Sequence, residues 1–151
     1  MPEETPQPAS LLRRLGAMFY DGLLLLALLM LATGLFLTLT GGEAISPTEN
    51  PWLELVYRAV LLLLTVGFFG IFWTQRGQTL GMASWRVQVE REDGGQLTWG
   101  DTVRRLAAAL LSWLPLGLGF LWILVDPGRR AWHDRLSRTR VVVVPKAARR
   151  G

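Results

Sequence analysis

The sequence predicts an α-helical membrane protein with two full transmembrane helices, a third hydrophobic segment broken by proline and glycine, and a small cytoplasmic β-pairing. Half of the 151 residues are hydrophobic, and they gather in three blocks, at residues 15–39, 52–74 and 106–125. Charged residues, mostly arginines, lie between and beyond these blocks. Blocks of this length are typical of a multi-pass membrane protein, because a soluble core spreads its apolar residues periodically along each element.

The first block is long enough to cross a bilayer. Residues 22–39 contain no charged side chain, and a helix of that length rises about 27 Å, close to the thickness of a hydrocarbon core. Arg13 and Arg14 precede the block, and Asp21 is its only carboxylate. A charge inside a span is costly, so Asp21 is the first candidate for a functional site.

The second block predicts a second span, antiparallel to the first. Trp52 and Trp73 bound it, about 31 Å apart along a helix, as expected of aromatic anchors at the two membrane interfaces. Glu54 and Arg58 are four residues apart, a spacing at which an ion pair stabilises a helix. The loop at 41–51 contains no lysine or arginine, which agrees with a position outside the cytoplasm.

Two short β-strands are predicted outside the membrane. Val87 and Val89 alternate with polar residues, and the Asp-Gly-Gly run at 93–95 indicates a turn. Residues 139–144, Thr-Arg-Val-Val-Val-Val, are too few to span a membrane and are suited to pair with residues 85–90. Such pairing requires both segments to lie on one side of the bilayer.

The third block has two interpretations, a fold-back hairpin and a kinked full span. The run Leu-Pro-Leu-Gly-Leu-Gly at 114–119 interrupts it, and Pro115 has no amide hydrogen with which to continue a helix. A hairpin places all 16 lysines and arginines except Arg58 on one side, whereas three full spans divide them almost equally. The positive-inside rule therefore favours the hairpin, with both termini in the cytoplasm.

The chain divides into one membrane domain, residues 13–144, and two tails. Residues 1–12 are rich in proline and polar residues, which predicts a disordered N-terminal tail. Residues 145–151 form a basic tail containing Lys146, Arg149 and Arg150. The simplest contact for this basic tail is with anionic lipid headgroups.

Four charged residues are candidates for one site at the cytoplasmic end of the spans. Arg14 and Asp21 are seven residues apart and share one face of the first helix. In the fold-back topology Asp126 and Asp134 emerge at the same end, so an Arg–Asp–Asp cluster can form. This cluster would either take up a proton or a small cation, or be a structural clamp in which nearby arginines neutralise Asp21. The candidates for that neutralising role are Arg14, Arg76, Arg104 and Arg105.

His133 is a candidate proton relay beside this cluster, because the reference pKa of histidine lies near neutrality. The alternative is an exposed histidine at the membrane surface with no special role.

Several classes of protein and site are not predicted. The chain has no cysteine, which excludes disulfides and thiolate metal sites, and its single histidine argues against a histidine-based metal cluster. No nucleotide-binding loop and no catalytic Ser, Cys and His set occurs, so we predict neither an enzyme nor a cofactor. The arginines flank apolar blocks, which indicates membrane orientation rather than nucleic-acid binding.

The chain resembles the RDD family of small bacterial membrane proteins, which is named for an arginine and two aspartates. Three segments carry the resemblance: Arg14-Leu-Gly-Ala-Met-Phe-Tyr-Asp21-Gly, then Gln78-Thr-Leu-Gly81 followed by Trp85-Arg-Val, and Asp126-Pro-Gly-Arg-Arg-Ala-Trp-His133-Asp134-Arg-Leu. The resemblance implies that Arg14 is the family arginine and Asp21 the first aspartate. Asp134 is the second, with Asp126 as the alternative.

The resemblance implies a multi-pass protein of the bacterial plasma membrane. Transport is proposed for this family, with cation or proton exchange suggested for some members. Our first hypothesis is a transport-related protein in which Asp21 binds the proton or cation. Arg14 would adjust the affinity of Asp21, and Asp134 would complete the site. The alternative is a non-transporting accessory or scaffold module. The expected partners are the bilayer, anionic headgroups, and a second copy of the chain or another membrane protein, because two spans and a hairpin cannot enclose a pathway.

Overall fold

The structure, a computed structural model, describes residues 7–41 and 49–145. These residues form six α-helices, one 3-10 helix and two β-strands. In chain order they are α1 (Leu11–Leu39), α2 (Pro51–Arg76), α3 (Leu80–Ser84), β1 (Val87–Arg91), α4 (Trp99–Trp113), α5 (Leu118–Leu121), the 3-10 helix (Trp122–Leu124), α6 (Trp132–Leu136) and β2 (Thr139–Val143).

The two predicted membrane helices are confirmed as α1 and α2, which are apolar and long enough to span a bilayer. They contain 29 and 26 residues, or about 43 and 39 Å of helix. The side chain of Asn50 caps α2 by accepting a hydrogen bond from the Leu53 amide at 3.1 Å, and α2 ends before Gly77, whose φ is 66°. The helices meet where the hydroxyls of Thr33 and Tyr57 lie 2.9 Å apart.

Helix α1 buries polar residues and exposes apolar ones. Its buried residues are Arg14, Ala17 and Asp21, whereas Leu31 is 74% exposed. At the tip of the third hydrophobic segment, Leu116 is 95% exposed. A continuous apolar surface of this extent is unfavourable in water and favourable in lipid. The faces of the helices therefore agree with a membrane protein.

The third hydrophobic segment turns sharply at the proline. Helix α4 ends at Trp113, and the helical residues 118–124 leave the turn at 108° to α4. Within the turn, Leu116 and Gly117 have φ values of 54° and 80°. Pro115 cannot donate a backbone hydrogen bond, and two successive left-handed residues cannot continue a helix.

The sheet shows that this segment returns to its starting point. β1 and β2 are antiparallel, with Val87 opposite Val143 and Arg91 opposite Thr139. Because β1 precedes the third segment and β2 follows it, the segment begins and ends at the same end of the molecule. The predicted β-pairing is confirmed, and the third segment is a bent helix pair whose two ends meet at the sheet, which favours the fold-back over a kinked full span.

The prediction of a disordered N-terminal tail is wrong for residues 7–12. The carbonyl of Gln7 accepts a hydrogen bond from the Val143 amide, and the Ala9 amide donates to the Val141 carbonyl, both at 2.9 Å. These residues therefore extend the sheet along the free edge of β2, and α1 begins directly afterwards at Leu11. Residues 1–6 and the predicted basic contact through Lys146, Arg149 and Arg150 lie outside the described residues.

The core joins the sheet to the start of α1. Its buried side chains include Ala17, Trp73, Met82, Val87, Val89 and Val141. Gly16 has no room for a Cβ atom, because the indole of Trp85 lies against it. This close approach holds the first turns of α1 against the sheet and so positions Arg14.

We expect cysteine labelling to place both ends of the third segment on one side of the membrane. The chain has no natural cysteine, so Gln96→Cys, Gly128→Cys and Glu49→Cys each introduce one site, and all three positions are exposed. In sealed vesicles, a membrane-impermeant maleimide should label the first two from one face and Glu49→Cys from the other. Labelling of Gly128→Cys together with Glu49→Cys would contradict the fold-back.

Candidate functional site

One buried carboxylate, Asp134, pairs with two arginines from different helices. Arg14 of α1 donates to Asp134 Oδ2, and Arg105 Nη1 of α4 lies 2.7 Å from Asp134 Oδ1. Asp134 is completely buried, and the side chains of Arg14 and Arg105 are 9% and 7% exposed. We call these three residues the ion triad. It joins α1, α4 and α6, elements that are far apart in the sequence.

Further hydrogen bonds fix the geometry of the ion triad. Arg14 also donates to the carbonyls of Ala9 at 3.3 Å and Arg129 at 2.8 Å. Asp134 Oδ2 accepts from the Ala131 amide at 3.1 Å, which satisfies a backbone donor at the start of α6. Thr139 Oγ1, at the start of β2, accepts from Arg105 Nη1 at 2.5 Å. Each charged group is therefore held from at least two directions.

Asp134 remains ionised although it is buried. Burial opposes its charge, but the positive charges of Arg105 and Arg14 outweigh that effect and hold the pKa of Asp134 well below its usual range. Removing the carboxylate is therefore expected to be strongly destabilising, because it would leave two buried guanidinium groups without a compensating charge. These ion pairs therefore stabilise the packing of α1, α4 and α6 against each other.

His133 is buried, not exposed. Its Nε2 lies 3.5 Å from Asp134 Oδ1, and its ring lies against Phe120 with the centroids 4.8 Å apart. Burial and the nearby charge of Arg105 lower the pKa of His133 to about 3. The imidazole is therefore neutral near pH 7, which disfavours the predicted proton relay because a relay needs a pKa near the working pH.

Asp21 binds a different part of the chain. Its Oδ2 accepts a hydrogen bond from the Thr79 hydroxyl, and its Oδ1 accepts from the Gly81 amide at 2.9 Å. Thr79 in turn accepts from the Met82 amide at 3.2 Å and so caps α3. A Cβ atom on Gly81 would collide with the carbonyl of Ala17 and lie 2.8 Å from the Asp21 carboxylate. Asp21 therefore fastens α3 to α1.

The structure separates the four predicted site residues. It brings Arg14 and Asp134 together, but within the described ranges no arginine lies within ion-pairing distance of Asp21. Asp126 is apart from both, since it accepts from the Arg130 amide at 3.0 Å and lies 3.7 Å from Arg135 Nη1. The predicted cluster therefore does not form as one site. Arg14 pairs with Asp134, Asp21 binds α3, and Asp126 binds the loop before α6.

Sequence reasoning missed two partners. Arg105 was a candidate only for neutralising Asp21, and Thr79 had no predicted role. A signal for Thr79 was present, because a threonine directly before a short helical run is a typical N-cap and Gly81 permits a close approach. No local pattern indicates the pairing of Arg105 with Asp134.

A cavity of about 230 Å³ lies between α1, α2 and α4 on one side of the sheet. Its walls are mainly apolar and include Met18, Trp73 and Trp113. Four polar side chains also line it: Arg14, Asp21, Arg105 and His133. In the part of the chain that the structure describes, no three His, Asp or Glu residues are grouped so that they could hold a metal ion.

Replacement of Thr79 by valine should detach α3 from α1. The variant leaves the buried Asp21 without one of its donors, at a cost of about 1–3 kcal/mol in the free energy of unfolding. Thr79→Ser is the matched control, because it retains the hydroxyl that binds Asp21 and caps α3. Unfolding measured in neutral detergent should separate the two variants, and equal stabilities would contradict the assigned role.

Stability should fall on acidification because of His133. In the unfolded chain its pKa returns towards 6.5, whereas in the folded chain it is about 3. The unfolded state therefore binds a proton that the folded state does not, and the free energy of unfolding decreases as the pH falls from 6.5 towards 3. His133→Gln should flatten this dependence between about pH 7.5 and about pH 5. Equal slopes for parent and variant would contradict a neutral, buried His133.

Comparison with known proteins gives one family. The model described as the RDD family matches residues 8–138 of the chain. No curated protein and no solved structure matches the sequence.

Proposed function

We propose that this chain, which belongs to the RDD family, is a non-transporting accessory or scaffold module whose Arg–Asp–Asp set is a structural clamp. It is a membrane protein with apolar helices able to span a bilayer. In this proposal the family residues Arg14, Asp21 and Asp134 join the spans to the polar elements at one end of the molecule.

The observation that supports this proposal is that both aspartates are engaged by partners in the fold. Asp134 is neutralised by Arg14 and Arg105, and both oxygens of Asp21 accept hydrogen bonds. Asp21 is only 4% exposed. A carboxylate that carries ions must exchange partners with water during each cycle, whereas these two connect secondary-structure elements.

The proposed location is the bacterial plasma membrane, with the clamp end in the cytoplasm. All arginines of the described residues except Arg58 lie at the start of α1, at the end of α2, in the first half of α4 or in the segments around α6 and the sheet. By the positive-inside rule that end faces the cytoplasm, where the arginines also contact anionic headgroups. The apolar faces of α1 and α2 are then available to a second copy or to another membrane protein.

One observation favours the second candidate, transport of a proton or a small cation. Asp21, Arg14 and His133 line the same cavity. In this alternative Asp21 binds the cation, Arg14 tunes its affinity, and Asp134 completes the site after assembly of several copies.

An ion-flux assay separates the two candidates. We expect the parent protein in liposomes to give no gradient-driven proton or cation flux above that of empty liposomes. Asp21→Asn should instead lower the unfolding temperature, because an amide replaces one of the two accepting oxygens by a donor. Flux in the parent that Asp21→Asn abolishes, with an unchanged unfolding temperature, would contradict the clamp and support transport.

A further inference from the structure

We infer that the cavity between α1 and α4 is a binding site for an anionic phospholipid, with the lipid phosphate at Arg105 and one acyl chain along the apolar walls. This inference goes beyond the proposed scaffold role, and it depends on three features: an excess positive charge, free donors on Arg105, and the position of the cavity along the spans.

The ion triad has one positive charge in excess. Arg14 and Arg105 each contribute one positive charge and Asp134 contributes one negative charge, while His133 is neutral near pH 7. All four residues are buried. An unbalanced buried charge is unfavourable, so an anion that enters beside it is bound favourably. A phosphodiester, with its single negative charge, matches the excess of the ion triad, whereas Asp21, which also lines the cavity, carries a negative charge on another part of its wall.

The free hydrogen-bond donors are on Arg105. Arg14 is engaged through Nε, Nη1 and Nη2 by Ala9, Asp134 and Arg129. Arg105 uses Nη1 for Asp134 and Thr139, and among the residues described in the structure its Nε and Nη2 have no hydrogen-bond partner. Its side chain is 7% exposed and lines the cavity. Nε and Nη2 are therefore available as donors to a phosphate bound beside Arg105, whose guanidinium also lies over the Trp73 ring, 5.3 Å from its centroid.

The apolar walls continue from Arg105 towards the tip of the third segment. Arg105 and Trp113 both line the cavity, and they are separated by eight residues of α4, or about 12 Å of helix. Leu15 and Met18 of α1 form the facing wall. A charged end followed by an apolar slot in a membrane-embedded segment is complementary to a headgroup and an acyl chain.

Asp21 lines the same cavity and helps to orient the ligand. Both of its oxygens already accept hydrogen bonds, and its charge repels an anion. The phosphate is therefore directed to Arg105 rather than to Asp21.

The test compares two alanines of α4. Ala109 lines the cavity, and Ala109→Phe fills it while the ion triad remains intact. Ala107 is exposed, so Ala107→Phe is the matched control with the same change on the same helix. Arg105→Gln is less informative, because it also removes a partner of Asp134. Binding is measured by native mass spectrometry and thermal unfolding of delipidated protein in neutral detergent, with phosphatidylglycerol as the probe.

We expect Ala109→Phe to weaken phosphatidylglycerol binding by about tenfold or more, with Ala107→Phe close to the parent. Diacylglycerol, oleate and inorganic phosphate should each bind more weakly than phosphatidylglycerol. Equal binding by Ala109→Phe and the parent would overturn the site, and equal binding of diacylglycerol would overturn the role of the charge. Equal binding of oleate or of inorganic phosphate would overturn the assignment to a phospholipid. The ion-flux assay is independent of these outcomes, so failure of one proposal is distinguishable from failure of the other.

Discussion

The carboxylate of Asp134 is the point at which α1, α4 and α6 meet. Its two oxygens face guanidinium groups from α1 and α4, and Asp134 itself belongs to α6. The ion pairs therefore hold the start of α1, the first half of α4 and α6 at one position. Because the carboxylate is fully buried, its removal would leave both guanidinium groups without a compensating charge. The fold-back therefore has a fixed base, whereas its tip consists of exposed apolar residues such as Leu116.

The buried polar contacts are explained by the bilayer that surrounds the spans. In a bilayer, apolar side chains gain nothing by facing inward, so hydrogen bonds and ion pairs supply the specific contacts between elements. Asp21 illustrates this, since its carboxylate fixes α3 through hydrogen bonds with Thr79 and Gly81. The cavity beside Arg105 combines such polar groups with apolar walls, which is why we propose it as a lipid site.

The two spans and the fold-back were predictable from the sequence, since both depend on the lengths of apolar blocks and on the positions of arginines. The partners within the site were not. Arg14 and Asp134 are separated by 120 positions, and no periodic pattern relates them, whereas Arg14 and Asp21 share a helix face and so suggested a pairing that does not form. The extension of the sheet by residues 7–9 was also hidden, because backbone pairing at a sheet edge leaves no side-chain signature in a proline-rich segment.

The most direct measurement of the central claim is a double-mutant cycle between Arg14 and Asp134. The free energy of unfolding is compared for the parent, Arg14→Gln, Asp134→Asn and the double variant in mixed micelles. We expect Asp134→Asn to cost about 3–5 kcal/mol, because it leaves two buried guanidinium groups without their carboxylate. Arg14→Gln should cost less, because Arg105 still balances the charge of Asp134, and the double change should cost clearly less than the sum of the single changes. Small, additive effects would contradict a structural role for the ion triad.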